Sequence, residues 1–198
     1  MTTAVSTIIS LVDQIYSYLI ALQDGRLDTF LGNWPSPPYP IRTISPSSLP
    51  VLAYLPQLDD NEDTKAIIKT LQALASQLYW GQSYTTADFG AAFLEKYGWT
   101  EIIGQRGPIA SEQLACGFLL LGPQLEYPLH SHEAEEIYVP FTASSQWARG
   151  NEAWVKRPVS QPIFHSAWLP HAMRSGTRPL LALYLWHNGD LTQKSRIL

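Results

Sequence analysis

The chain has 198 residues, a net charge of −4, 45% hydrophobic and 15% charged residues, and one cysteine. That length suggests one domain with a substantial core and an appended helical part. A weakly acidic chain without a Lys/Arg run gives no reason to expect nucleic acid, a single cysteine excludes an internal disulfide, and a small molecule is the expected partner.

Ile8, Leu11, Val12, Ile15, Leu19 and Leu22 recur at helical spacing and predict an amphipathic helix over 4–23, with Gly25 as its stop. Its polar face lacks Lys and Arg, so it is expected to pack on the domain and not on a membrane surface. The first charge is Asp13, no basic segment precedes the apolar residues, and no run of eighteen apolar residues occurs. Neither a signal peptide nor a membrane span is expected, and the cytoplasm is the default location. Residues 33–50 carry six prolines and predict an irregular connector, either a linker or a lid. A second helix is predicted over 61–79, with an acidic first turn and a buried stripe of Ile67, Leu71, Leu74 and Leu78. A third is predicted over 86–97, opened by a Thr85/Asp88 capping box, lined by Phe89, Phe93 and Tyr97, and ended by Gly98.

The pattern changes near Trp99. Short strand candidates follow at 114–121, 126–132, 136–141, 145–149, 152–156, 162–165, 168–174 and 180–187, the spacing of a sandwich or small barrel. Cys116 sits in an apolar run and reads as a buried thiol. All five histidines fall in this half.

The densest stretch is Tyr127-Pro-Leu-His-Ser-His-Glu-Ala-Glu-Glu-Ile-Tyr138. On a strand, His130, His132, Glu136 and Tyr138 share one face, and Glu133 and Glu135 the other. Imidazole and carboxylate on one spot are the ligand set of a divalent transition metal such as Zn, Fe(II) or Mn. A second histidine motif, Phe164-His-Ser-Ala-Trp-Leu-Pro-His-Ala-Met-Arg174, follows.

The two motifs together resemble the two-part signature of the cupin superfamily. The resemblance implies a mainly β protein: a double-stranded β-helix (cupin) barrel over 106–198, preceded by a helical layer over 1–105. It implies the metal ligands His130, His132, Glu136 and His171. The glycines usual after the first motif and before the second are absent here, where Phe141–Ser145 and Val159–Pro162 stand. His165 is expected to be a hydrogen-bonded wall residue and His187 to be exposed.

Tyr127 and Tyr138 around the first motif, then Trp147, Trp168-Leu-Pro-His-Ala-Met-Arg174 and Pro179-Leu-Leu-Ala-Leu-Tyr-Leu-Trp186, narrow the resemblance. Over roughly residues 107–188 the chain is similar to the bacterial cupin-type dimethylsulfoniopropionate lyases of the DddL/DddQ group, most of all to DddQ. That resemblance implies a carbon–sulfur lyase whose zwitterionic substrate is cleaved to dimethyl sulfide and acrylate by β-elimination. A metal would bind the substrate carboxylate and a tyrosine would take the α proton. Tyr127 is the expected base, approaching from the side, while Tyr138 lies on the ligand face. Trp186 is expected to bind the sulfonium through its ring face, with Tyr138 and His130 also in reach of substrate; His130 is either a ligand or displaced by Tyr138. Trp147, Trp168 and Tyr184 are expected to pack in the core, and Arg174 either holds a carboxylate or forms an ion pair. The same ligand set also serves dioxygenases, isomerases and non-catalytic binding cupins, and both a monomer and a homodimer fit the sequence.

Overall fold

The computed structural model of the protein describes residues 3–58 and 61–198. Helix α1 (Thr3–Ala21) buries Ile8, Leu11, Val12, Ile15 and Leu19 along one stripe. By length and composition alone Ala4–Ala21 could cross a membrane, contrary to the expectation of no membrane span. Its apolar stripe nevertheless joins the protein core. A short helix α2 (Asp28–Gly32) follows. Residues 33–49 contain no helix or strand, as their prolines predict. Trp34 and Tyr39 of this segment lie on α1, through the Tyr16 ring at 5.5 Å and a hydrogen bond from the Tyr39 hydroxyl to Asp13. Helix α3 (Lys65–Leu74) carries Ile67, Leu71 and Leu74 of the predicted stripe and packs against α1. It is shorter than the expected 61–79: it has no acidic residue in its first turn, and a 3-10 turn over Ala75–Gln77 ends it before the buried Leu78.

The expected third helix is instead two short ones, α4 (Thr86–Phe89) and α5 (Ala91–Leu94), split by Gly90 at φ 78°. The Thr85/Asp88 capping box is present. Gly98 does not end a helix; it lies inside a strand.

The strands in chain order are β1 (Trp80–Gly81), β2 (Tyr97–Gly104), β3 (Ile109–Ala110), β4 (Leu114–Leu121), β5 (Glu126–Ser131) and β6 (Glu135–Pro140). They continue with β7 (Gln146–Arg149), β8 (Val155–Lys156), β9 (Ile163–His165), β10 (His171–Arg174), β11 (Leu180–His187) and β12 (Arg196–Ile197). One sheet runs β1-β2-β4-β11-β6-β9 with β3 beside β2; the other runs β12-β5-β10-β7-β8. The strand β2 thus joins the barrel sheet although it lies ahead of residue 106.

The large sheet is buried on both faces, which is why β4 and β11 read as nearly continuous apolar runs. Alternation assigns the faces. Cys116, Phe118, Leu120, Leu181, Leu183 and Leu185 belong to the cluster shared with the helices, whereas Ala115, Leu119, Ala182 and Tyr184 belong to the barrel interior. The architecture is the double-stranded β-helix with a helical N-terminal layer that the sequence resemblance implied. The helices shield the outer face of one sheet, and the interior between the sheets is left for polar side chains.

Candidate metal centre and its cavity

Strand pairing brings the histidine motifs together. Across β10 and β5, His171 lies opposite His130; across β6 and β9, Glu136 lies opposite His165; across β11 and β6, Trp186 lies opposite Glu136. The β10–β5 register also slips. His171 pairs with His130 and Met173 with Tyr127, so two residues on β10 span three on β5. This β-bulge turns Tyr127 to the same face as His130 despite its odd spacing.

His132 Nε2 and His171 Nε2 lie 3.1 and 3.0 Å from one oxygen, Oε2 of Glu136. The ligand atoms of these three buried residues all fall within 4.8 Å of one another. Each imidazole is fixed from behind: Nδ1 of His132 faces the Ala134 carbonyl at 2.9 Å and Nδ1 of His171 that of Leu169 at 2.9 Å. A carbonyl only accepts, so each Nδ1 carries a proton and Nε2 is the ring atom turned to the centre. Two imidazole nitrogens and a carboxylate oxygen thus converge at close range, an arrangement that a shared cation suits. His171 Nε2, though 3.0 Å from Glu136, has no aligned hydrogen bond. Burial alone would raise the Glu136 carboxyl, but His132 and His171 outweigh it and hold it well below the usual range. The second oxygen of Glu136 accepts the Trp186 indole N–H at 2.5 Å. The donor set fits a divalent transition metal.

His130 is buried beside this trio. Its Nδ1 faces the Pro128 carbonyl at 2.8 Å, and its ring lies 4.2 Å from that of His171. It stacks on Tyr127 at 4.0 Å and 12°. Tyr138 is buried on the same face as Glu136. Burial raises both phenols well above their ordinary value, with the Glu136 charge adding at Tyr138 and neighbouring tyrosines at Tyr127. The Tyr127 hydroxyl pairs with that of Tyr84 at 2.8 Å, and Lys194 Nζ lies 4.8 Å over the Tyr84 ring.

Three expectations need correction. His165 is not hydrogen-bonded: it is fully buried, neither ring nitrogen has a partner, and its Nδ1 is 3.9 Å from Glu136 Oε2. Its ring lies 4.1 Å from that of His171, so it belongs to the site. His187 is half-buried, paired with Glu135 at 3.2 Å and edge-on to Phe30. Trp168 is 43% exposed at positive φ, with Arg196 over its ring, and does not pack in the core. Tyr184 packs in the buried interior as expected, and it also lines the cavity described next. Trp147 does pack inside, against Tyr138, and Arg174 pairs with Gln146 and Glu126.

A cavity of about 60 Å³ lies inside the barrel, walled by Tyr97, Tyr127, Tyr138, Tyr184 and Trp186, with Glu101 also on its lining. It shares Ser83, Trp99, Arg106 and Gln193 with an open surface cleft of about 510 Å³. Leu191, Gln193 and Ser195 of the C-terminal segment also line it, and β12 is paired along His130 and Ser131. Nothing in the local sequence pattern marked Glu101, Tyr84 or this segment, because long-range pairing alone brings them here.

Comparison with known proteins gives a consistent result. A family model described as dimethylsulfoniopropionate lyase matches residues 37–182. The chain is 31% identical over 150 residues to dimethylsulfoniopropionate lyase DddQ of Ruegeria pomeroyi, covering 75% of this chain and 74% of that protein. Among solved structures, one from the crystal structures of the DMSP lyases RdDddP and RnDddQII superposes with a TM-score of 0.87 at 27% identity, covering 99% of this chain and 100% of that one. The crystal structure of DMSP lyase DddQ from Ruegeria pomeroyi DSS-3 gives 0.84 at 26% identity, covering 97% and 96%.

Proposed function

Because the chain belongs to the dimethylsulfoniopropionate lyase family, we propose that it cleaves dimethylsulfoniopropionate to dimethyl sulfide and acrylate. The observation that carries the metal-dependent form of this reading is the convergence of His132 Nε2, His171 Nε2 and Glu136 Oε2. These three, with His130 beside them, would hold one divalent ion, Zn, Fe(II) or Mn by the character of the donors. Such an ion, when bound, supplies Lewis-acid polarisation of the substrate carboxylate and positive charge that favours a phenolate.

The rest falls to the chain's own side chains. The buried aromatic wall keeps water from the reacting carbons and offers ring faces to the sulfonium, Trp186 among them. Trp186 also holds the ligand carboxylate in place, so it serves both ends of the site. Tyr127, as the phenolate that such an ion's charge would favour, takes the α proton on its oxygen and becomes the neutral phenol. The α C–H bond breaks, its electron pair forms the C=C bond of acrylate, and the β C–S bond releases neutral dimethyl sulfide. The Tyr127–Tyr84 hydrogen bond supports this assignment, because a hydroxyl donating to Tyr127 stabilises its phenolate, and Lys194 over the Tyr84 ring adds positive charge nearby. Tyr138, buried on the face of Glu136, would hold the substrate carboxylate beside the ion. Proton NMR of a reaction with dimethylsulfoniopropionate tests the reading. Acrylate vinyl signals are expected to grow in step with substrate loss; an unchanged substrate would refute it.

A further inference from the structure

A second buried carboxylate shares the cavity and has no role in the reaction as described. Glu101 is 5% exposed and sits on β2. Register pairing places Glu101 opposite Gly117, Gly117 opposite Tyr184, and Tyr184 opposite Tyr138. At about 4.8 Å per strand, Glu101 stands roughly 14 Å across the sheet from the Tyr138 backbone, with Tyr184 between them. Gly117 keeps that row open: a Cβ there would meet the Tyr184 hydroxyl at 2.7 Å and the Thr100 carbonyl at 2.0 Å.

Glu101 Oε1 accepts the backbone N–H of Arg106 at 2.5 Å and of Gly107 at 2.9 Å. Burial raises the Glu101 carboxyl above its ordinary value, and these bonds, with the Arg106 and Arg42 charges, pull against that rise while orienting the side chain. A loop latch needs only an acceptor, which glutamine would supply without burying a charge. What the carboxylate adds is negative potential at the cavity end away from Glu136. Two guanidinium groups act on Glu101 from the same end but are held by other acceptors: Arg106 donates to the Thr192 carbonyl at 2.6 Å and lies 5.4 Å over the Trp99 ring, and Arg42 donates to the Gly104 and Gly107 carbonyls. The rings of Tyr97, Trp99, Tyr184 and Trp186 line the space between.

We propose that Glu101 is the counter-charge that selects a cationic head group, so that the cavity takes a short chain with a carboxylate at one end and a sulfonium or quaternary ammonium at the other. The orientation rests on the lyase reading, with the substrate carboxylate at the His132–Glu136–His171 end. Glu101 acts on the charge of the substrate and not on its reacting bonds.

The test compares two probes of the same shape by calorimetry on metal-loaded protein. One is β-alanine betaine; the other is its carbon isostere, with a tert-butyl group in place of trimethylammonium. Wild-type protein is expected to prefer the cationic probe by about tenfold or more, the scale of a charge contact in a partly desolvated site. Glu101→Gln keeps the acceptor for the loop and should remove most of that preference while leaving the neutral probe within about twofold. Equal affinity of wild-type protein for both probes overturns the proposal, even if the variant does not fold. So does a Glu101→Gln variant that weakens both probes alike, the mark of a purely structural latch, or one that weakens neither. The lyase reading fails separately: a protein that makes no acrylate yet shows Glu101-dependent charge preference retains this inference and loses that one.

Discussion

At the scale of single residues, the site is set by which atom each side chain can present. Backbone carbonyls behind His130, His132 and His171 fix each ring's proton on Nδ1 and leave Nε2 for the centre. Trp186 does the same for the carboxylate by binding Glu136 Oε1 and leaving Oε2 to the imidazoles. Trp186→Phe should therefore weaken metal binding by about 10–100-fold, the usual cost of losing a partner that orients a ligand, as read by competition with a chromophoric chelator. Unchanged affinity would mean that the indole serves the substrate alone. Tyr127→Phe is expected to lower kcat by about 10²–10⁴-fold with metal content intact, the range for a lost general base. Full activity in Tyr127→Phe alongside a dead Tyr138→Phe would move the base to Tyr138.

At the scale of elements, the helices act on the site only through the sheet they cover. The α1 stripe and the outward residues of β4 and β11 form one core, and the Tyr18 hydroxyl bonds to Ser160 in the barrel half at 2.9 Å. Leu11 is fully buried there. Leu11→Ala should cost about 2–5 kcal/mol of stability in denaturant unfolding, with kcat nearly unchanged at temperatures where the protein remains folded. Much at this scale was legible in the sequence. Helical spacing located α1 and α3, and short runs between turn signals located β4, β6, β10 and β11, because each of those patterns is local. Three features were not legible. The β5 bulge reverses the parity of Tyr127, and only the pairing with β10 reveals it. Tyr97–Gly104 carries a glycine that reads as a helix stop, yet the segment has a place beside β4. His165 has no local mark of its role; it enters the site because β9 pairs with β6 at Glu136. His132 and Glu136 were readable because H-x-H-x-x-x-E puts chemistry and strand parity into one short stretch, and His171 because the second histidine motif resembles that of the cupins.

At the scale of the whole molecule, the barrel interior holds a cluster of titratable groups that folding keeps from their ordinary charge states. Burial, with the neighbouring His171, lowers His130 and His165 well below the usual histidine value. The unfolded chain then binds more protons at acid pH, so stability is present above about pH 6.5 and is lost as pH falls below it. The depressed Glu136 acts in the same direction at lower pH. Burial raises Tyr127, Tyr138 and Tyr184, so their contribution is present below about pH 10 and is lost as pH rises above it. Thermal melting of the metal-free protein should show a plateau near neutrality with falling Tm on both sides. A melting temperature that stays constant from pH 7 to pH 5 would contradict the buried neutral histidines. The fold, the family and the convergent trio support one central proposal: that this barrel performs metal-dependent elimination on dimethylsulfoniopropionate. The most direct test is headspace gas chromatography for dimethyl sulfide while chelator-stripped protein is titrated with Zn, Fe(II) or Mn. The account predicts no gas from the stripped protein and a yield that rises with added ion to saturation near one per chain. Equal dimethyl sulfide from stripped and loaded protein, or none from either, would contradict it.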